Sequence, residues 1–501
     1  MATGFHIENF GCRAARADGE ALSDRLLDAG HCVHQPSEAD VVVVNTCSVT
    51  AEADRAARAY IRRAHRKNPA AKIVVTGCYA QRAPGELATL AGVAAVIGNS
   101  HKGLAPEIIL DLTRGTSQHP ADNLIQIQPA HKPERANSEQ LATPQVSQVV
   151  VWADDRFAHS FLEESQVVPG AQTRPNLKIQ EGCGSRCTFC VIPQTRGGSK
   201  SVLATAILKQ VEGFIAAGGN ELVLSGINLG RWGRDAAALS ENTAASLPRN
   251  LAALVRHIFN ETALPRLRLS SIEPMDWNAE LIGLMAEYGG TRLARHAHLP
   301  LQSGSDAVLR RMHRRYRPWH YVEKIEALRR AAGPELTLGA DVMVGFPGET
   351  DAEFEETRAL IAALPFGYLH LFPFSPRPGT PGWAMYAEQP VPAAVVDQRM
   401  KVLRSLIAAK SKTHRSRFAG QKLEAITLHT PPEMASRGCT TALTENFLPV
   451  EIAGRLSANR MVRVRIAELD PELTLLATVD LSDSAEAVRV HSSAGNMPVA
   501  V

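Results

Sequence analysis

Over most of the chain, short and nearly continuous apolar blocks alternate with longer segments in which apolar positions recur every three to four residues. The blocks have the length of strands, and the spaced segments read as helices with one buried face. In the first stretch, residues 5–10, 40–44 and 72–76 read as strands, and 19–29 and the Ala- and Arg-rich 51–66 as helices. That β-α-β-α-β order predicts a small parallel sheet covered by helices. From about 112 to 175 Gln, Ser, Pro, Asn and His accumulate, which predicts a linker with at most one strand, near 148–152. A second series begins at Leu177, with strands over 177–180, 221–224, 266–269, 297–301, 337–344 and 368–374 and helices such as 306–312, 321–331 and 349–364 between them. Six strands separated by helices predict a parallel (β/α) barrel, full or partial. After about residue 420 only short strands remain, as at 423–428, 447–452 and 461–466, which predicts a small all-β unit.

The expected class is therefore α/β. A small N-terminal parallel α/β domain would span 1–113 and an irregular linker 114–170. A partial (β/α)6 barrel would span 171–415, a small β-barrel 416–481 and a tail 482–501. Composition changes little in this picture. The 501 residues suffice for about three domains. Lys and Arg number 54 against 51 Asp and Glu, which excludes a polycation or an acidic tail but leaves room for local basic patches. The longest apolar runs, such as Val41-Val42-Val43-Val44, are far too short for a membrane span. The start, Met-Ala-Thr-Gly-Phe-His, lacks the basic and apolar regions of an export signal, so a cytoplasmic chain with no membrane partner is expected.

In such a setting the eight cysteines are expected to bind metal or do chemistry rather than form disulfides. Six fall into two trios. Cys183, Cys187 and Cys190 lie within eight residues, in Cys183-Gly-Ser-Arg-Cys187-Thr-Phe-Cys190, and can face one centre if the loop wraps around it. Soft thiolates suit an iron–sulfur cluster or zinc. A structural zinc ion would want a fourth Cys or His nearby, and none sits within a dozen residues. Three thiolates on a [4Fe–4S] cube leave one iron open for a small ligand. Cys12, Cys47 and Cys78 each end an expected strand of the first sheet, where α/β folds bind ligands, so they too would converge. Cys32 and Cys439 lack such a setting and read as inert.

The loop with Phe189 before its last cysteine resembles the signature of radical S-adenosylmethionine (SAM) enzymes. Its surroundings are similar to the methylthiotransferase family: Gln180-Glu-Gly-Cys183, Val191-Ile-Pro193, Arg196-Gly197, Ser270-Ser-Ile-Glu273-Pro274, Leu301-Gln-Ser-Gly-Ser305, Val344-Gly-Phe-Pro-Gly-Glu349 and Phe374-Ser-Pro-Arg-Pro-Gly-Thr380. Asn45-Thr-Cys47-Ser-Val-Thr50, Gly77-Cys78-Tyr79-Ala80-Gln81 and Ser225-Gly226-Ile227-Asn228 resemble the branch acting on threonylcarbamoyl-adenosine in tRNA. One run departs from that branch, Arg13-Ala-Ala-Arg-Ala-Asp18 after Cys12. The C-terminal unit resembles a TRAM domain, an RNA-binding barrel.

The resemblance implies two [4Fe–4S] clusters, one on each trio, with SAM on the open iron of the cluster at Cys183, Cys187 and Cys190. It implies replacement of an adenine C–H by C–S–CH3, a bond that acid/base chemistry alone cannot open, so the cofactor supplies a radical. One electron would cleave SAM, the 5′-deoxyadenosyl radical would take the hydrogen, sulfur would be delivered at the second cluster, and a second SAM would give the methyl group. A reductant and a sulfur donor are required, tRNA is the partner, and a monomer is expected. The family places a contact to the SAM amino group at a position matching Gly218-Gly219-Asn220-Glu221. Ser271 and Glu273 are candidates for the ribose, and Gln302, Ser303, Gly304 and Asp341 lie at barrel strand ends or within a strand, where polar residues serve sites. Arg377 is a candidate for the carboxylate-bearing side chain of the modified base, with Ser375 beside it. Basic stretches at 55–67, 310–320 and 404–417 could line an RNA-binding surface. Two other readings compete: a methylthiotransferase for isopentenyladenosine or a ribosomal-protein aspartate, and a zinc-stabilised RNA-binding protein.

Overall fold

The computed structural model describes residues 3–114, 149–160, 173–235, 247–469 and 475–480. The first unit is a six-stranded parallel sheet in the order β2-β1-β3-β4-β5-β6: β1 Gly4–Asn9, β2 Cys32–Val33, β3 Val41–Thr46, β4 Lys72–Gly77, β5 Val93–Gly98 and β6 Val150–Trp152. β3 is buried at every position, as its valine run requires of a central parallel strand covered on both faces. The helix expected at 19–29 begins earlier, as α1 Arg13–Asp28 directly after Cys12. α2 Ala51–Lys67 is capped by the Thr50 side chain, which accepts from the Ala53 amide at 3.2 Å. The strand expected near 148–152 is β6, which pairs with β5 at the sheet edge, so the chain returns to the first sheet after the polar stretch. β2 and β5 were not apparent from the pattern: β2 has two residues, and β5 follows closely on two short helices, α3 Cys78–Arg82 and α4 Pro84–Ala88.

The second unit has six parallel strands, β7 Asn176–Glu181, β9 Glu221–Gly226, β10 Arg266–Leu269, β11 His296–His298, β12 Thr337–Val344 and β13 Phe366–Pro373. A two-residue strand, β8 Lys200–Ser201, pairs antiparallel with β7. The ladders form two pieces, β10-β9-β7-β8 and β11-β12-β13, joined through a Leu267–Leu293 bridge. This is the expected partial barrel. Its core is a continuous apolar cluster that includes Trp232, Trp277, Tyr321 and Phe366. α5 Ile192–Arg196 follows the Cys183–Cys190 loop, and α6 Ala393–Ser416 packs against β13.

The third unit is a closed barrel, β14-β15-β16-β18-β17, formed by β14 Lys422–Thr427, β15 Cys439–Thr444, β16 Pro449–Ala453, β17 Met461–Leu469 and β18 Leu475–Val479. It docks on the amino-terminal ends of the (β/α) strands. Asn459 donates to the Gly218 carbonyl at 2.8 Å, Arg295 pairs with Glu445, and Phe447 stacks on His296 with centroids 4.2 Å apart. Residues of the expected tail, and most of the expected linker, lie outside the described residues. No helix among the described residues is long and apolar enough to cross a membrane.

Candidate active site: two cysteine trios across one buried charge network

Cys12, Cys47 and Cys78 sit just past the carboxyl ends of β1, β3 and β4, on one edge of the sheet. Their convergence is visible in the packing. Gly11, at φ +101°, lies so close to Cys47 that a Cβ there would fall 2.6 Å from its sulfur. Burial pushes the Cys47 thiol up to about 12, with the neighbouring Cys78 and Cys12 adding to the shift. Asn99 Nδ2 and Arg196 Nε reach Cys78 Sγ at 3.4 and 3.2 Å.

Cys183, Cys187 and Cys190 lie on the loop after β7, at the carboxyl end of the barrel. Gln180 pins this loop: its Nε2 donates to the Gly182 carbonyl at 2.8 Å while its Oε1 accepts from the Asn228 amide at 2.6 Å. Asn228 Nδ2 donates to Cys183 Sγ and Arg314 Nη1 to Cys187 Sγ, each at 3.4 Å. Burial pushes Cys190 up to about 12. Phe189 packs against the barrel core.

The spacing of the sulfurs separates zinc from clusters. A tetrahedral zinc with bonds of about 2.3 Å needs sulfurs about 3.8 Å apart. Among the described residues, only His298, Asp341 and His370 bring three ligand atoms within 4.8 Å of one another, so both cysteine trios are spread wider than one ion allows. A four-iron cube, whose thiolate ligands stand further apart than those of one ion, is compatible with that wider spread.

The two trios are joined by buried charge. Arg196, fully buried on α5, bonds Cys78 across the domain boundary and donates through Nη1 to Asp18 of α1 at 3.1 Å and Glu181 of β7 at 2.9 Å. Lys102 and Lys178 pair with the same two carboxylates. Burial opposes charge on Glu181, but Arg196, Lys102 and Lys178 overcome it and hold the carboxyl well below its usual range. The sequence marked Arg196-Gly197 as a family run only; nothing along the chain told that it reaches Cys78, Asp18 and Glu181.

A cavity of about 570 Å³ opens beside the loop, and its lining includes Cys187, Asn228, Glu273 and Arg314, with Arg186 and Arg315 exposed around it. That is within the range of small-molecule sites. Asn228 Oδ1 is buried without a partner, so an acceptor is on offer beside Cys183. Glu273 is held by Arg314. Ser271 accepts or donates with His298 Nδ1 at 3.0 Å. Gln302 stands at φ +61°, a costly conformation for a side-chain-bearing residue, and its Oε1 is buried without a partner. Asp341 lies between His298 (3.4 Å) and His370 (3.1 Å); burial pushes its carboxyl up, but these imidazoles overcome that and hold it far below the carboxylate range. Ser303 and Gly304 turn instead to the helix Asp351–Ala363, where Thr357 Oγ1 meets both at 3.0 Å.

Two expectations need correction. Gly218, Gly219, Asn220 and Glu221 lie at the amino-terminal end of β9, opposite the cysteine loop. Asn220 bonds Asn459 of the β-barrel, and Glu221 is fully buried against Arg268 (2.9 Å), Arg174 (3.4 Å) and Arg266 (3.7 Å). The strand's carboxyl end instead presents Asn228. Arg377 is equally unavailable to a base: buried, it pairs with Asp54 and donates to Ser48 at 3.1 Å, while Ser375 accepts from the Ala51 amide at 3.0 Å. Both clasp the first domain to the barrel. Asn99, His298 and His370 were not singled out from sequence, and Arg196, Asn228 and Arg314 only as members of family runs or a basic stretch; their contacts act across the fold and leave no local spacing signal.

The fold and the cysteine loop define a radical SAM protein. The family description "Radical SAM superfamily" matches residues 177–361, and "Uncharacterized protein family UPF0004" matches 4–98. A solved radical SAM methyltransferase, TsrM from Kitasatospora setae, has a similar fold, with TM-score 0.50 at 15% identity, covering 77% of this chain and 75% of that one. The threonylcarbamoyladenosine tRNA methylthiotransferase MtaB of Bacillus subtilis (strain 168) is 34% identical over 93% of this chain and 94% of its own length. That of Aquifex aeolicus (strain VF5) is 32% identical over 92% and 99%. The chain belongs to this methylthiotransferase family, and it is a radical SAM enzyme.

Proposed function

We propose that this enzyme converts the N6-threonylcarbamoyladenosine of tRNA, next to the anticodon, to its 2-methylthio derivative. The observation that carries the reading is the pairing of two cysteine trios at the strand ends of two domains, joined through Arg196. Cys183, Cys187 and Cys190 would hold a [4Fe–4S] cluster with SAM, and Cys12, Cys47 and Cys78 a second cluster. When bound, these groups supply the radical that opens the adenine C–H bond and the sulfur that replaces the hydrogen.

The chain's own residues bind and orient. Asn228, Glu273 and Arg314, around the cavity beside Cys187, offer the acceptors and the cation that the charged end and ribose of SAM need. Gln302 supplies a further unpaired acceptor. His298, Asp341 and His370, linked to Ser271, form a polar wall on β11, β12 and β13 to receive the base. Exposed Arg186, Arg234 and Arg315 at the cavity, with the basic face of α2, would bind phosphates. A separate reductant and sulfur donor act on a monomer in the cytoplasm. The test is mass spectrometry of tRNA nucleosides from a deletion strain. Loss of the methylthio mark on threonylcarbamoyladenosine, restored by the wild-type gene but not by one encoding Cys187→Ala, is expected. An unchanged nucleoside profile would refute the substrate.

A further inference from the structure

We infer that Arg196 sets the reduction potential of the cluster at Cys12, Cys47 and Cys78, acting from the barrel domain as a positioning residue. The inference rests on the reading that this trio holds a cluster. Arg196 Nε lies 3.2 Å from Cys78 Sγ, and its Nη2 is buried with no partner, leaving a second donor in the same fork. Asn99 Nδ2 adds a neutral donor to the same sulfur at 3.4 Å and is itself tied to the Thr195 carbonyl at 2.8 Å.

The guanidinium cannot drift. Nη1 is bound by Asp18 and Glu181, and the backbone beside it is pinned because the Cys183 amide donates to the Gly197 carbonyl at 3.0 Å. At Gly182 a Cβ would fall 2.0 Å from the Gly198 carbonyl oxygen, so the start of the barrel cysteine loop and the Arg196 segment are in closest contact. Arg196, Lys102 and Lys178 all pair with Asp18 and Glu181, so the guanidinium is tied into a buried charge network beside Cys78. A guanidinium stays protonated in proteins, so Arg196 is a fixed cation. A fixed cation and hydrogen bonds to a ligand sulfur stabilise the more negative, reduced cluster, and low dielectric magnifies the effect. The barrel sulfurs have their own donors, Asn228 and Arg314, so this influence is specific to the first-domain cluster.

The experiment uses the full-length chain with Cys183, Cys187 and Cys190 replaced by alanine, reconstituted without oxygen, so that only the first-domain cluster is loaded. Its midpoint is followed by electron paramagnetic resonance in a potentiometric titration. Arg196→Gln should lower the ratio of reduced to oxidised cluster at least tenfold at a fixed potential, about 59 mV for one electron. Arg196→Lys, which keeps the charge without the fork, should shift it less, and Asn99→Ala less still, in the same direction. In the reciprocal chain, with Cys12, Cys47 and Cys78 replaced, Arg196→Gln should leave the barrel cluster's midpoint unmoved. An unmoved first-domain midpoint in a loaded Arg196→Gln chain, or equal shifts in both chains, overturns the inference. Should Arg196→Gln fail to load, unmoved midpoints in Arg196→Lys and Asn99→Ala overturn it. A parent chain that takes up no iron overturns the cluster reading and the inference with it.

Discussion

Glu221 decides between two uses of the segment that ends in it, and the change Glu221→Gln separates them. The carboxylate is fully buried, with Arg268 at 2.9 Å, Arg174 at 3.4 Å and Arg266 at 3.7 Å. Arg268 also donates to the Thr444 carbonyl at 3.2 Å and lies over the Phe447 ring, so the cluster seals the (β/α) unit onto the β-barrel. Glutamine keeps the shape and removes the charge, leaving buried cations without their counter-ion. Breaking such a group costs about 3–5 kcal/mol. At about 2–4 °C per kcal/mol for a unit of this size, that lowers the melting temperature by roughly 6–20 °C. Burial opposes ionisation of Glu221, but Arg268, Arg174 and Arg266 overcome it and depress its carboxyl. The stabilisation is therefore fully present above the unfolded carboxyl value of about 4.3 and is lost as pH falls through the lower folded value. The deficit of Glu221→Gln should be full at pH 7 and shrink below about pH 4. Fluorescence of the buried Trp232 and Trp277 reports unfolding of the barrel, and equilibrium dialysis reports SAM affinity of the anaerobically reconstituted protein. A variant with unchanged stability and at least tenfold weaker SAM binding would refute the placement of this residue away from the cofactor.

Three further outcomes follow from the geometry. Arg377→Ala breaks the buried pair with Asp54 and should cost about 3–5 kcal/mol at the domain boundary; limited proteolysis should then cut between the first sheet and the barrel, with iron content still about eight per chain. Gly11→Ala places a Cβ 2.6 Å from Cys47 Sγ at a φ of +101°, so iron should fall to about four per chain while the signal of the barrel cluster with SAM persists. Burial, with Arg417 and Arg415 nearby, pushes His414 down to about 4 while it bonds Thr337 Oγ1 at 2.9 Å. Its folded value lies below the unfolded value of about 6.5, so stability is intact above that pH and falls by up to about 3 kcal/mol as pH drops toward 4. In His414→Gln this part of the urea midpoint's pH dependence should vanish; an unchanged slope refutes the assignment.

How far the chain could be read depended on the range of the interactions. The valine run of β3 and the Ile73-Val74-Val75 block of β4 declare themselves, because central parallel strands are largely apolar. β2 and β18 escaped notice because an edge strand or a barrel strand of few residues owes its pairing to neighbours far along the chain. The cysteines were legible for a related reason: thiolate ligands are few, and the Cys183–Cys190 spacing is local. The contacts around them were not. Gly218 to Glu221 is assigned to SAM through the family resemblance alone, although its place at the start of the strand over 221–224 puts it at the end of the barrel away from the cysteine loop. In Ser375-Pro-Arg377, an arginine beside a turn has the same spelling whether it greets a carboxylate of substrate or one of its own domain.

Composition, periodicity and the cysteine spacings alone determined three units, a parallel sheet before a partial barrel and a small β-barrel after it, and two trios of soft ligands. Those properties are local: apolar blocks report burial, and clustered thiols report metal chemistry. The tertiary structure alone decided that Arg196 touches a sulfur of the other domain, that Arg377 is a clasp and that Glu221 lies at the sealed end of the barrel. Each of these depends on which charges meet without water between them, and that is set by how three domains pack, which no spacing along a single chain encodes.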